Sequence, residues 1–196
     1  FSSDDAGSDH WRYICYFIGL NWVRSARVYY GRIGRFRIQS NNNFAGQSIL
    51  SDSIIIFGAK YLPYIIVASL AFFVIFSPDK KRELKMIFYA ATSAVLARLV
   101  ITEIIRYFYE SPRPFMVYDF APLIYDFNNS FPSGHAAFLF SLATAVFLFH
   151  KKWGIAYFLG AIIIVLSRIM AGIHWPSDVL GGIIVGICSA LVIKKI

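Results

Sequence analysis

The sequence predicts an all-α, polytopic membrane bundle of about five transmembrane helices, preceded by an N-terminal interfacial helix. Three observations carry this reading. The chain is 58% hydrophobic and 18% aromatic, with 15% charged residues, against roughly a quarter charged in a soluble domain. Residues 61–78 form an uncharged run of 18, close to the ~20 apolar residues that a helix needs to cross a bilayer. Breakers at Ser77-Pro78, Ser111-Pro112, Pro132 and Trp175-Pro176 separate most of the apolar stretches. Together these exclude a soluble enzyme and a disordered chain.

Taken in order, residues 1–48 are polar, with six arginines (Arg12, Arg24, Arg27, Arg32, Arg35, Arg37) and no lysine. Trp11–Val23 is apolar but too short to span, is interrupted by Arg12 and Asn21, and has no small-residue cleavage site after it. It reads as an interfacial helix or an extension. Residues 1–48 are therefore expected to be an arginine-rich leader, interfacial or non-native, distinct from a membrane-embedded domain over 49–196. Leu50–Lys60 is expected to lie along the interface, because Lys60 is costly at membrane depth. Spans follow over roughly Tyr61–Ser77, Met86–Tyr109, Gly134–His150, Trp153–Ile173 and Val179–Ile193. Gly182 and Gly186 in the last one have the spacing that allows two helices to approach closely, although glycine is common in membrane helices for its own sake.

The formal charge of +8 is read against topology, and no nucleic-acid partner is expected. Lys80, Lys81, Arg82, Lys85, Lys151, Lys152, Lys194 and Lys195 all fall on one side, which the positive-inside trend assigns to the cytoplasm of the cell membrane. The loop Glu110–Pro132 and the turn His174–Asp178 then share the extracytoplasmic face. Two cysteines, Cys15 and Cys188, build neither a disulfide framework nor a zinc site.

Three clusters of chemically unusual residues lie at that face. Arg106 ends the second span, and Arg113-Pro114 follows a proline-broken turn. Pro132-Ser133-Gly134-His135 opens the third. Ser167-Arg168, then His174, then Asp178 join the fourth to the fifth. Three arginines at a helix-end pocket repel one another unless a multiply charged anion lies between them, and guanidinium forks match phosphate oxygens. Ser133 stands at the N-cap, and the backbone N–H groups of Gly134 and His135 add donors at the positive end of the helix. His174 is placed to attack phosphorus while Asp178 holds its other ring nitrogen, and His135 to protonate the departing oxygen and later activate water. Arg106, Arg113 and Arg168 would stabilise charge in the transition state. No carboxylate cluster suited to magnesium accompanies them, so no metal and no cofactor is expected.

Each residue also has a simpler reading. Arg106 alone fits a snorkelling anchor or a partner of Glu103 or Glu110. Arg98 fits an ion pair with Glu103 or a lipid contact, His150 an interfacial position, and Asp119 and Asp126 solvated loop positions with a headgroup-positioning role as the alternative.

The joint occurrence resembles the type 2 phosphatidic acid phosphatase superfamily of integral membrane lipid phosphatases, related in its core to vanadium haloperoxidases. Its signature is Lys, six residues, Arg-Pro; then Pro-Ser-Gly-His; then Ser-Arg, five residues, His, three residues, Asp. The second and third are complete here; the first has Arg106 where lysine is usual. The resemblance covers about 148 residues and implies His174 as nucleophile, Asp178 as its orienting partner, His135 as acid, and Arg106, Arg113, Ser133, Gly134 and Arg168 as phosphate ligands. The lines from Ser130 to His135 and from Ala171 to Gly182 look like those of short bacterial undecaprenyl-diphosphate phosphatases, which recycle the carrier lipid of cell-wall (peptidoglycan) assembly. This implies a lipid diphosphate substrate presented by the bilayer. Phosphatidylglycerophosphate, phosphatidate or a lipid A phosphate suits the same geometry, and a non-catalytic lipid-binding protein or a haloperoxidase are remoter alternatives.

Overall fold

A computed structural model describes residues 48–117 and 121–195. All regular structure among them is helical. The leader and the interfacial helix expected at Trp11–Val23 lie outside the described residues.

Helix α1 (Ile49–Phe76) opens at Ser48, whose Oγ accepts the Ser51 N–H at 3.1 Å. It runs for 28 residues, broken only by a π-turn at Phe57–Tyr61. Leu50–Lys60 is therefore not a separate interfacial segment but the first part of this helix. Lys60 permits the continuity because it is exposed, with Nζ 5.6 Å above the ring of Tyr61. Helix α2 (Lys80–Phe108) is capped by Asp79, which accepts the Arg82 N–H at 3.2 Å, and contains a second π-turn at Leu96–Ile101. A short helix α3 (Pro114–Val117) interrupts the loop that follows. Helices α4 (Gly134–Phe149), α5 (Lys151–Met170) and α6 (Pro176–Lys195) complete the chain, joined by tight turns.

Helices α1, α2, α5 and α6 are long and apolar enough to cross a membrane. The remaining expected span, α4, has 16 residues and is about 24 Å long, short of a ~30 Å hydrocarbon core. It forms the central post of the bundle. Ala136, Ala137, Leu139, Phe140, Leu142, Ala143, Ala145 and Val146 are all buried along it, whereas Ile54, Phe72, Phe88, Ile155, Leu180 and Ile184 on its neighbours remain exposed. That inversion, apolar outside as well as inside, is what a hydrocarbon solvent permits.

The close-packing reading of Gly182 and Gly186 holds. A Cβ on Gly182 would stand 2.5 Å from the Ser133 carbonyl oxygen, and one on Gly186 would stand 2.4 Å from that of Ala137. Helix α6 thus lies backbone to backbone against α4, which fixes the height of Asp178 relative to Ser133. The Ser133 N–H accordingly donates to the Asp178 carbonyl at 2.9 Å.

At the lysine-bearing end, Glu83 is buried and pairs with His150, Nε2 to Oε2 at 2.9 Å, while Ser77 Oγ donates to Glu83 at 3.1 Å. Arg82 reaches the Phe149 carbonyl at 2.6 Å. These contacts tie α1, α2 and the α4–α5 joint together, and they give His150 a structural partner.

The packing predicts that Gly186→Val costs about 1–3 kcal/mol through overpacking. Ile184→Ala, at an exposed position, is expected to change stability by less than about 0.5 kcal/mol. Thermal unfolding of both variants in detergent checks the contrast.

Candidate active site

Alternating helix directions bring the end of α2, the start of α4, the end of α5 and the start of α6 to one end of the bundle, opposite the lysines. All eight residues expected to form a site are gathered there.

Helix α5 stops in a C-terminal turn that places His174. Gly172 has φ 78, the left-handed conformation glycine adopts without penalty. Its N–H bonds to the Ile169 carbonyl at 3.0 Å, and the Ile173 N–H bonds to that of Arg168 at 3.3 Å. The chain then enters α6 through Trp175, whose N–H donates to Asp178 Oδ2 at 2.8 Å and whose Nε1 donates to the Pro112 carbonyl at 3.0 Å.

His174 is fully enclosed, 2% exposed. Its Nδ1 stands 3.6 Å from Asp178 Oδ2 and 3.4 Å from Ser130 Oγ, and Ser130 donates to the same Asp178 oxygen at 2.5 Å. The nitrogen that faces away from the carboxylate is Nε2. Burial comes first, and the positive charges of Arg168, Arg113 and Arg106 add to it, in pushing His174 well below the usual imidazole range. The ring is neutral at physiological pH, and a proton on Nδ1, donated to Ser130 Oγ, leaves the lone pair on Nε2.

The arginines are anchored chiefly through main-chain carbonyls. Arg106 donates to Pro132 O at 3.1 Å and reaches Glu103 Oε1 at 3.4 Å. Arg168 donates to Ala59 O at 3.2 Å, across to the π-turn of α1. Arg113 donates to Asn128 O at 2.8 Å and Ile173 O at 2.9 Å, and pairs with Asp126 at 2.7 Å. Asp126 is therefore no freely solvated loop residue. Burial alone would raise its carboxyl, but Arg113 and the Asn128 N–H outweigh that and hold it below the usual range. Asp119 falls outside the described residues.

Four buried side-chain atoms among the described residues have no hydrogen-bond partner: Arg106 Nε, Arg168 Nε, Ser133 Oγ and Ser141 Oγ. The first three belong to the expected phosphate set. Ser133 does stand at the N-cap of α4, yet its hydroxyl makes no capping bond, and donors buried without partners are costly unless a ligand satisfies them. Gly134 at the helix start admits the Arg98 side chain, because a Cβ there would lie 2.5 Å from Arg98 Nε. His135 is partly exposed beside it. No group of three His, Cys, Asp or Glu side chains suited to a metal occurs among the described residues.

Sequence reasoning missed Ser130, which lies between the carboxylate and the imidazole, and the Arg113–Asp126 pair. Both join residues far apart in the chain without helical periodicity.

A model of the PAP2 superfamily matches residues 83–196. The chain belongs to this superfamily. It is 31% identical over 152 residues to the bacitracin transport permease protein BcrC of Bacillus licheniformis, covering 76% of this chain and 73% of that one. It is also 31% identical to undecaprenyl-diphosphatase BcrC of Bacillus subtilis, over 69% of each chain. The crystal structure of LpxE from Aquifex aeolicus superimposes with a TM-score of 0.62 at 28% identity, over 84% of this chain and 94% of that chain. This PAP2 protein is thus a multi-pass membrane protein of a phosphatase family that acts on lipid phosphates.

The burial of neutral His174 predicts a pH dependence of stability. The unfolded ring takes up a proton near pH 6.5, whereas the folded ring resists it, so stability is lost as pH falls below that value and is retained above it. The unfolding midpoint in detergent is expected to drop more between pH 7 and pH 5 in the native protein than in His174→Gln. Equal drops would show that His174 does not carry the effect.

Proposed function

We propose that this protein hydrolyses undecaprenyl diphosphate to undecaprenyl phosphate through a phosphohistidine intermediate, at the extracytoplasmic face of the cell membrane. The observation that carries the reading is the enclosure of a neutral histidine, backed by a carboxylate, among three arginines with unpartnered donors on Arg106 and Arg168. The name of the Bacillus subtilis relative, undecaprenyl-diphosphatase BcrC, favours the diphosphate, and the lysines at the opposite end of the bundle favour the face. The working unit is residues 49–196.

In this mechanism the terminal phosphate takes the place among Arg106, Arg113, Arg168, Ser133 and the N-terminus of α4. His174 Nε2 forms a bond to its phosphorus as the bond to the bridging oxygen breaks, and the electron pair stays on that oxygen. His135 donates a proton to the departing oxygen, and Asp178, steadied by Ser130 and Trp175, stabilises the charge that develops on the ring. Water then attacks the phosphohistidine, His135 accepts its proton, and the P–N bond breaks to release phosphate and restore His174. Developing negative charge meets fixed guanidinium groups and backbone N–H donors, which supply electrostatic stabilisation without reorganisation.

Phosphate release by the detergent-solubilised protein, with EDTA present, is expected to be strongest on undecaprenyl diphosphate in a panel with phosphatidylglycerophosphate and phosphatidate. His174→Ala is expected to abolish release, and substantial activity in that variant rejects the nucleophile. Arg106→Lys is expected to retain activity, while Arg106→Ala mainly raises KM. Preference for a glycerophospholipid would keep the mechanism and reject the substrate.

A further inference from the structure

One cation beside the site is left over once the three motifs are accounted for. Arg98 lies in the π-turn of α2, a distortion that recurs at functional sites, and its side chain rests directly on the first residue of α4. A Cβ on Gly134 would stand 2.5 Å from Arg98 Nε, 2.7 Å from Cδ and 2.9 Å from Cζ. Arg98 Nη1 donates to Glu103 Oε1, the same oxygen that Arg106 approaches at 3.4 Å. Two guanidinium groups thus share one carboxylate at the positive end of a helix, where a cation is normally unfavourable. A purely structural tie to Glu103 does not require Arg98 to lie against the start of α4.

Its exposure sets Arg98 apart. The side chain is 34% exposed, whereas Arg106, Arg113 and Arg168 are at 9% or below. The three buried arginines surround His174; Arg98 lies at the rim, within electrostatic range of His135. Under the mechanism above, His135 meets the oxygen that leaves. In a diphosphate that oxygen belongs to the second phosphate, the one that stays on the lipid. In a phosphate monoester it belongs to an uncharged carbon skeleton.

We propose that Arg98 binds the lipid-proximal phosphate of a prenyl diphosphate and so selects diphosphate over monophosphate substrates. The proposal rests on the reading of the chain as a lipid-diphosphate phosphatase and names the residue that reads the second phosphate. As the P–O bond to the bridging oxygen breaks, that oxygen becomes a terminal oxygen of the lipid phosphate. Arg98 offsets the negative charge that develops on that phosphate before His135 delivers its proton. Glu103 holds Arg98 at the rim and leaves its remaining N–H groups available to the substrate.

The test uses a pair with matched tails, farnesyl diphosphate and farnesyl monophosphate, on the native protein, Arg98→Gln and Arg98→Lys. Arg98→Gln is expected to lower kcat/KM on the diphosphate about tenfold or more, as expected for loss of one charge-assisted contact. On the monophosphate the loss is expected to stay under about twofold, and Arg98→Lys should restore part of the selectivity. Pyrophosphate should inhibit the native protein more strongly than orthophosphate, and this advantage should shrink in either variant. Equal losses on both substrates, or an unchanged inhibition ratio, overturn the proposal. If Arg98→Gln does not fold, Arg98→Lys with the two inhibitors decides. The choice of physiological lipid is read from the native protein alone, and the role of Arg98 from the variant-to-native ratios, so the two readings fail separately.

Discussion

Everything at the site end of this bundle depends on how like charges are held together in an apolar surrounding. Arg106, Arg113 and Arg168 are buried within electrostatic range of one another, and the cost of such an arrangement rises as the local dielectric falls. The fold meets that cost largely with main-chain carbonyls: Pro132 O for Arg106, Asn128 O and Ile173 O for Arg113, Ala59 O for Arg168. Each bond also joins two segments distant in the chain. The arginines therefore hold α1, α2, the loop before α4 and the α5–α6 turn in mutual register, and the same side chains that would bind phosphate also assemble the end of the bundle.

The helices carry the distortions this requires. The π-turn of α1 includes Ala59, whose carbonyl receives Arg168. The π-turn of α2 contains Arg98 and is followed by Thr102, whose hydroxyl bonds back to Ala97 O at 2.8 Å. In a bilayer an irregular turn is tolerable only where neighbouring protein satisfies the freed groups. Both irregular turns lie on the two longest helices, α1 and α2, and neither occurs in α4, the buried post packed between α2, α5 and α6.

The parts of this arrangement that were legible from sequence share a physical basis. Uncharged runs bounded by proline marked the spans, because hydrocarbon admits so few alternatives to a helix. The lysines marked which ends lie together, and the spacing of Arg168, His174 and Asp178 survived as geometry because the three flank one tight turn, with Arg168 in the last turn of α5, His174 between the helices and Asp178 in the first turn of α6. Contacts between segments were not legible. Asp126 looked like a loop carboxylate because nothing local reveals that Arg113 reaches it, and Ser130 looked like part of a motif flank because its partner is 48 residues away. Lys60 misled for another reason. A charge near an apolar run argues against depth, but a lysine that lies along an exposed aromatic face need not be buried when its helix continues.

The two ends of the bundle divide the work of stability and chemistry. At the lysine end, buried Glu83 is matched by His150 and Ser77, so the buried carboxylate there has partners within the protein. At the other end the chain leaves Arg106 Nε, Arg168 Nε and Ser133 Oγ without partners while it encloses His174 and the Asp178 carboxylate beside it. A fold selected only for stability would fill those positions with groups that satisfy one another. Unpartnered donors persist here because helix packing at Gly182 and Gly186 and the carbonyl anchors of the arginines over-determine their positions, so that the favourable interactions still unmade are those available to a phosphate.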